Sequence, residues 1–313
     1  MEKVFELESA KTLIQNEEKS GTPIVHLFGD YFLKNEICCL FGDSNVGKTI
    51  LCTDVALSCC GGKCWWAMPM SDIKEKVLYF DFELSSLQFA RRYKGASDIF
   101  PNELERAELN QTTLVAGEDL FEALVNKITA RQAAVDAPKV IIIDNLTYLS
   151  NSTTNAAQAI RIMKELKKLK SAYGLSIILV AHCPKRKKNK PITQDDLGGS
   201  KMIMNFCDSA FAISNSAWGD DVRYIKHIKA RGVEKKTTVS TVEISTKPYL
   251  HFQYEGESHE DEHLGIPQTS TVTPEIAAKI ISLREEGVSI RDIAEEVSLS
   301  KSAVGRFLKK HGI

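Results

Sequence analysis

The chain contains no apolar run as long as a membrane span, and its opening segment MEKVFELESAKTL has no apolar core of the signal-peptide kind. Both absences predict a cytoplasmic protein. An excess of one charge is lacking too: 40 Lys and Arg against 41 Asp and Glu give a formal net charge of −1. That balance excludes a uniformly basic coat but not a local basic surface. Residues 184–190 and the C-terminal tail are basic, whereas 255–263, EGESHEDEH, is acidic. Without a secretory signal, the eight cysteines do not predict a disulfide framework. CCGGKC (Cys59, Cys60, Cys64) has no second Cys or His pair at zinc-ligand spacing, so no metal site is expected there. HEDEH, residues 259–263, has the letters of a helical zinc motif, but its flanks are Gly256, Gly265 and Pro267 in an acidic, Ser/Thr-rich stretch. It reads as linker.

At 313 residues, 43% hydrophobic and 26% charged, the chain is long enough for one large globular domain and one small one. Four apolar runs, EICCLFG (36–42), KVLYFDF (76–82), KVIIID (139–144) and SIILVAH (176–182), alternate with helical segments. This alternation predicts an α/β fold around a mostly parallel sheet. After residue 210, SAFAISN, VRYIKHIKA, TTVSTVEIS and YLHFQYE follow with only turns between, which predicts an antiparallel extension of that sheet. The expected organisation is a domain over 1–254, an acidic flexible linker over 255–272 and a helical domain over 273–313.

GDSNVGKT, residues 42–49, fits G-x-x-x-x-G-K-[ST] between an apolar strand and a helix. Gly42 and Gly47 let the backbone wrap closely, so that successive N–H groups from Asp43, Ser44, Asn45 and Val46 point at phosphate oxygens. Lys48, Thr49 and Ile50 open the helix, whose N-terminus adds partial positive charge. Lys48 would reach the β- and γ-phosphates, and the Thr49 hydroxyl would ligate Mg²⁺. The motif predicts a P-loop NTPase that uses ATP and Mg²⁺. Asp144, ending KVIIID, is expected in the metal shell opposite Thr49. Its neighbour is Asn145, which offers no carboxylate to orient an attacking water. Glu83, just past KVLYFDF, supplies one; Asp81 is a weaker candidate, and a plain helix-N-terminal acid is the alternative for Glu83. Parallel strands end on one edge, so Glu83, Asp144, His182 and the P-loop are expected to converge.

Together these features resemble the RecA-like ATPases. FDFELSS resembles the glutamate segment of replicative hexameric helicases and of the plasmid RepA-type helicases, and DLGGSKMIMNFCDSAFAI (196–213) resembles the stretch that follows their basic loop. IKARGVEKKTTVSTVEI resembles their paired-cation segment before the last strands. The resemblance spans about residues 20–255 at the level of motifs. It implies that Glu83 is the catalytic base, that His182 senses the γ-phosphate, and that Lys229 and Arg231 reach a neighbouring subunit's site in a hexamer. It also implies that the loop after His182, carrying Lys185, Arg186, Lys187, Lys188 and Lys190, faces single-stranded DNA. That loop has no aromatic residue for base stacking, so contact without sequence preference is expected. A solvated basic loop is the alternative. Trp65 and Trp66 read as packing residues.

Residues 274–313 predict three short helices, opened by Pro274, Ser289 and Ser300. GVSIRDIAEEVSLSKSAVGRFLKK resembles the helix-turn-helix of Hin-type recombinases. On that resemblance Ala294 sits at the helix crossing and Val304 and Leu308 face the core. Lys301, Ser302 and Arg306 would then face the major groove of duplex DNA, with Lys309 and Lys310 on phosphates. A helical module that never touches DNA is the alternative.

The sequence therefore predicts a DNA-dependent ATPase, a ring-forming RepA-like helicase or translocase with a tethered helix-turn-helix. The rival expectation is an ATP-switched DNA-binding regulator or partition-like factor without unwinding activity. The missing N-terminal helical domain of many replicative helicases favours the rival. A recombination mediator is a third expectation.

Overall fold

The structure, a computed structural model, describes residues 7–21, 23–61, 73–109, 119–149, 156–184, 189–197, 201–264, 274–297, 304–305, 307–308 and 311. In chain order the strands are β1 (His26–Phe28), β2 (Phe32–Leu33), β3 (Ile37–Gly42), β4 (Val77–Asp81), β5 (Leu104–Glu108), β6 (Val140–Asp144), β7 (Ser176–His182), β8 (Ser209–Asn215), β9 (Val222–Lys229), β10 (Val239–Ser245) and β11 (His251–Ser258). The helices are α1 (Ala10–Ser20), α2 (Lys48–Cys59), α3 (Ser86–Arg92), α4 (Leu120–Gln132), α5 (Ala156–Tyr173), α6 (Lys201–Phe206), α7 (Glu260–His263), α8 (Pro274–Glu285) and α9 (Ile290–Glu296).

Nine strands form one sheet in the order β11-β10-β9-β8-β3-β7-β6-β4-β5. β3, β4, β5, β6, β7 and β8 run parallel, and β9, β10 and β11 continue antiparallel. This is an α/β RecA-like core. The central strands are buried on both faces, which is why Ile141, Ile143, Ile177 and Leu179 serve one core while Ile142, Ile178 and Val180 serve the other. α4 and α5 cover the first face; α2 covers the second. α2 lies deep because β11 closes over it: Asp54 Oδ2 accepts the Phe252 N–H at 2.9 Å.

Register sets which strand ends meet. Gly42 pairs with His182 across β3 and β7, and Asp81 pairs with Asp144 across β4 and β6. All four positions lie at the C-terminal edge.

The structure corrects the linker expected over 255–272. Residues 255–258 extend β11, and α7 follows. The acidic stretch is anchored because two of its side chains find distant partners. Glu260 accepts the Ile192 N–H at 2.7 Å and pairs with Lys226. Buried His263 contacts the hydroxyls of Ser216, Ser258 and Thr241 and stacks on Tyr224. Among the described residues, no group of three or more His, Cys, Asp or Glu side chains is placed to hold a metal. Cys59 and Cys60 are buried; Cys64, Trp65 and Trp66 lie outside the described residues.

At the C-terminus, α8 and α9 pack around Ile280, Ile293, Ala294 and Val297, joined by buried Val304 and Leu308. These helices have a core of their own. Ser289 caps α9 by accepting the Asp292 N–H. Among the described residues, no helix is long and apolar enough to cross a membrane.

Candidate active site

The turn between β3 and α2 folds as its glycines dictate. A Cβ on Gly42 would lie 2.3 Å from the Ile213 carbonyl oxygen of β8, and Gly47 has φ +98° with Phe252 against it. Val46 is buried in the core, so only its backbone serves the turn; its carbonyl accepts from Arg223 Nε at 3.1 Å. Ser44, Asn45, Gly47, Lys48, Thr49 and Ile50 line a pocket of about 420 Å³, closed on its far side by Glu83, Leu84, Arg92 and His182. Asp43 contributes its carbonyl to Lys48 instead of lining the pocket. Lys48 is buried and donates to the carbonyls of Asp43 (2.7 Å) and Gly42 (3.1 Å). Burial lowers its pKa, against the raising effect of Glu83 and Asp144.

Asp144 lies behind this pocket, fully buried at the end of β6. Its Oδ2 accepts from the Thr49 hydroxyl and the Tyr79 hydroxyl, both at 2.9 Å. Its Oδ1 is buried without a protein partner. Burial, and then the charge of Glu83, push the Asp144 carboxyl up to about 7. A divalent cation fits this arrangement. The orphaned carboxylate oxygen and the Thr49 hydroxyl are hard donors, and Mg²⁺ characteristically takes few protein oxygens and draws the rest from phosphate and water.

Glu83 follows β4 and stands against two other strand ends. Its Oε1 accepts from Asn145 Nδ2, and His182 Nε2 lies 3.2 Å away. Asn145 Oδ1 accepts the Thr147 N–H at 2.9 Å, which turns the Nδ2 group toward both Glu83 and His182 Nε2 (2.9 Å). His182 Nε2 thus meets a donor and an acceptor, and the position of its proton selects which it bonds. The hydrogen bond from His182 chiefly holds the Glu83 carboxyl below its ordinary value, against burial, with Lys48 and Asn145 adding to it. The expected convergence of Glu83, Asp144, His182 and the P-loop is what the sheet edge presents.

Asp81 is occupied otherwise. Its Oδ1 accepts the N–H groups of Glu83 and Leu84, and its Oδ2 pairs with Arg106. It holds the Glu83 turn and has no free oxygen for water. Three contributors went unread in the sequence: Arg92, Arg223, and Asn145 as a bridge. Asn145 carries a local signal, since it directly follows Asp144; the arginines carry none.

Lys229 and Arg231 lie at the opposite end of the sheet. β9 is antiparallel to β8, so Lys229 pairs with Ala210 while Ile213 is level with Gly42, roughly 10 Å of strand away. Lys229 Nζ donates to the carbonyls of Met204 and Cys207, both at 2.7 Å, and exposed Arg231 reaches Asp208 at 3.4 Å. Neither faces its own chain's pocket. Lys190 is exposed. Lys185, Arg186, Lys187, Lys188, Lys301, Ser302, Arg306, Lys309 and Lys310 lie outside the described residues.

Residues 3–188 match the sequence profile of the AAA domain family. The chain belongs to that family. It is a P-loop NTPase, and its family fits the nucleotide and Mg²⁺ site assembled above. Among solved structures, the flagellar accessory protein FlaH from Methanocaldococcus jannaschii is similar, with a TM-score of 0.48 at 14% sequence identity over 78% of this chain and 95% of that one. No curated protein matches the chain.

Proposed function

We propose that the chain is an ATPase that couples ATP hydrolysis to DNA, working as a ring of copies in the manner of a RepA-type helicase or translocase of a plasmid or mobile element. The observation that carries this reading is Glu83 standing against Asn145 and His182 at the mouth of the P-loop pocket. Lys48 would leave the Gly42 and Asp43 carbonyls to meet the β- and γ-phosphates. Mg²⁺, when bound through Thr49 and Asp144, supplies charge neutralisation at the phosphate oxygens. Glu83, kept ionised at neutral pH, orients a water and takes its proton as the water oxygen bonds to phosphorus and the leaving ADP oxygen departs.

The DNA part of the reading is supported by sequence position. His182 touches the catalytic carboxylate and precedes Lys185 by only three residues, so a change at the γ-phosphate is carried directly into the basic segment. Five cations in six positions attract a phosphate backbone without reading bases. Assembly is supported by Lys229 and Arg231, which cannot serve their own chain's pocket; the RepA-type resemblance implies six copies. The C-terminal helices would recruit the ring to duplex DNA as a helix-turn-helix.

Hydrolysis of ATP with and without single-stranded DNA, in the wild type and in Glu83→Gln, tests this. The expected result is stimulation that disappears in the variant. Turnover indifferent to both DNA and Glu83 would overturn it. That outcome would favour an ATP-switched DNA-binding regulator.

A further inference from the structure

β5, an edge strand of the sheet, carries one arginine whose side chain turns inward toward the Glu83 turn. Arg106 is only 12% exposed, and its partner Asp81 is fully buried. The guanidinium grips Asp81 Oδ2 through Nε at 3.0 Å and Nη2 at 2.9 Å. Nη2 also donates to the Leu84 carbonyl, and Nη1 to the Ser86 hydroxyl at 3.1 Å. The plane packs on the Phe89 ring, 4.9 Å from its centroid. From the other side, Asp81 Oδ1 accepts the Glu83 N–H at 3.0 Å and the Leu84 N–H at 2.9 Å. Glu108, two residues on in β5, accepts the Ser86 N–H at 2.7 Å.

The turn at residue 83 is therefore held on one side by the Asp144 carbonyl, which accepts the Phe82 N–H, and on the other by Asp81 and Arg106, which take the Glu83 and Leu84 N–H groups and the Leu84 carbonyl. The arrangement is more than a surface ion pair, because the guanidinium uses its fixed fork to join a carboxylate, a carbonyl and a hydroxyl at once. Lysine offers the same charge but no such fork.

We propose that Arg106 is a positioning residue for Glu83: through Asp81, Leu84 and Ser86 it sets the carboxylate against Asn145 and His182 and so controls turnover without touching the nucleotide. This rests on Glu83 being the catalytic base. The P-loop side of the pocket is built from residues 44, 45 and 47–50, none of which Arg106 holds, so nucleotide binding is expected to change little although Leu84 lines the far side. A displacement of about 1 Å in a base costs on the order of 100-fold in rate.

The test is ATPase kinetics of Arg106→Gln and Arg106→Lys, alone and combined with Glu83→Gln, with thermal unfolding of each variant. Arg106→Lys keeps a cation on buried Asp81 and guards against loss of the fold. Both single variants are expected to lower kcat by about 10- to 100-fold with KM for ATP within about twofold. In the Glu83→Gln background neither should lower the residual rate further, because the base they position is gone. Folded single variants with wild-type kcat would overturn the proposal, as would losses that multiply those of Glu83→Gln. If Glu83→Gln itself turns over like the wild type, the reading of the site fails and this inference with it. An inactive Glu83→Gln beside a fully active Arg106→Lys removes only the inference.

Discussion

Thr49 Oγ1 stands 2.9 Å from Asp144 Oδ2, while the second oxygen of that carboxylate is buried with no protein partner. One oxygen fixes the hydroxyl, and the other is left for a cation. With Asp144 as the proposed ligand, its protonation would govern metal binding.

Burial and the Glu83 charge push Asp144 up to about 7, far above the ordinary aspartate value near 4. Between about pH 4 and 7 the folded chain holds a proton that the unfolded chain has lost, so this group's contribution to stability falls as pH rises, by up to about 4 kcal/mol. Mg²⁺ needs the ionised form. Its apparent affinity in the presence of ATP should rise with pH, at most about tenfold per unit, and level off above about 7. Calorimetric Mg²⁺ titrations between about pH 6 and 8 read this, and Asp144→Asn should flatten the profile. A wild-type affinity flat over that range would show that Asp144 is not the ligand.

His182 is the largest cause holding the Glu83 carboxyl low. With Glu83 as the proposed base, hydrolysis would need it ionised, and the acid limb of kcat against pH would report its pKa in the bound complex. His182→Ala should move that limb to higher pH as well as lowering the maximum. Asn145→Ala, which removes a smaller contribution, should move it in the same direction by less. An acid limb unmoved by His182→Ala would separate the histidine from the base.

His227, on β9, is fully buried, and no side chain hydrogen-bonds either ring nitrogen. Burial lowers its pKa to about 4, below the unfolded value near 6.5. Here the unfolded chain binds the extra proton, so stability rises with pH across about 4 to 6.5, by about 3 kcal/mol. This opposes the Asp144 effect over much of the same range, so the wild-type profile conceals both. His227→Leu, a neutral residue of similar size beside Tyr31, should gain stability relative to the wild type as pH falls through that window. Chemical denaturation at several pH values reads the difference; a constant difference would place no titration at His227.

What the sequence made legible was local. Residues 42–49 carry their motif in eight consecutive positions, and the four central strands announce themselves as apolar runs because parallel strands are buried on both faces. β5 reads LERAE, four of its five residues only partly buried and the last exposed, so its pattern resembles surface chain. Yet it supplies Arg106. The acidic stretch 255–264 looked like linker by composition, but Glu260 and His263 are anchored by Ile192, Lys226, Ser216 and Tyr224, which lie 34 to 68 positions earlier. Asn145 read as the lack of a glutamate; its bridging role needs Glu83 and His182, 62 and 37 residues away. Partners at such separations leave no period or spacing in the sequence.

The anchored acidic stretch also decides where the C-terminal helices can be removed. A cut at 255 would strip part of β11 and all of α7, leaving Tyr224 without its His263 stack and Lys226 without Glu260. A cut just after Leu264, itself buried, spares those contacts. The helices beyond have a separate core around Ile280, Ile293, Ala294, Val304 and Leu308. The chain ending at Leu264 should therefore unfold at nearly the wild-type temperature and hydrolyse ATP at the wild-type basal rate. If the C-terminal helices read duplex DNA, affinity for duplex falls by at least about tenfold, whereas stimulation by single strands through residues 185–190 persists. Paired measurements of duplex affinity and strand-stimulated hydrolysis separate the two surfaces, and unchanged duplex affinity would assign the helices to a partner other than DNA.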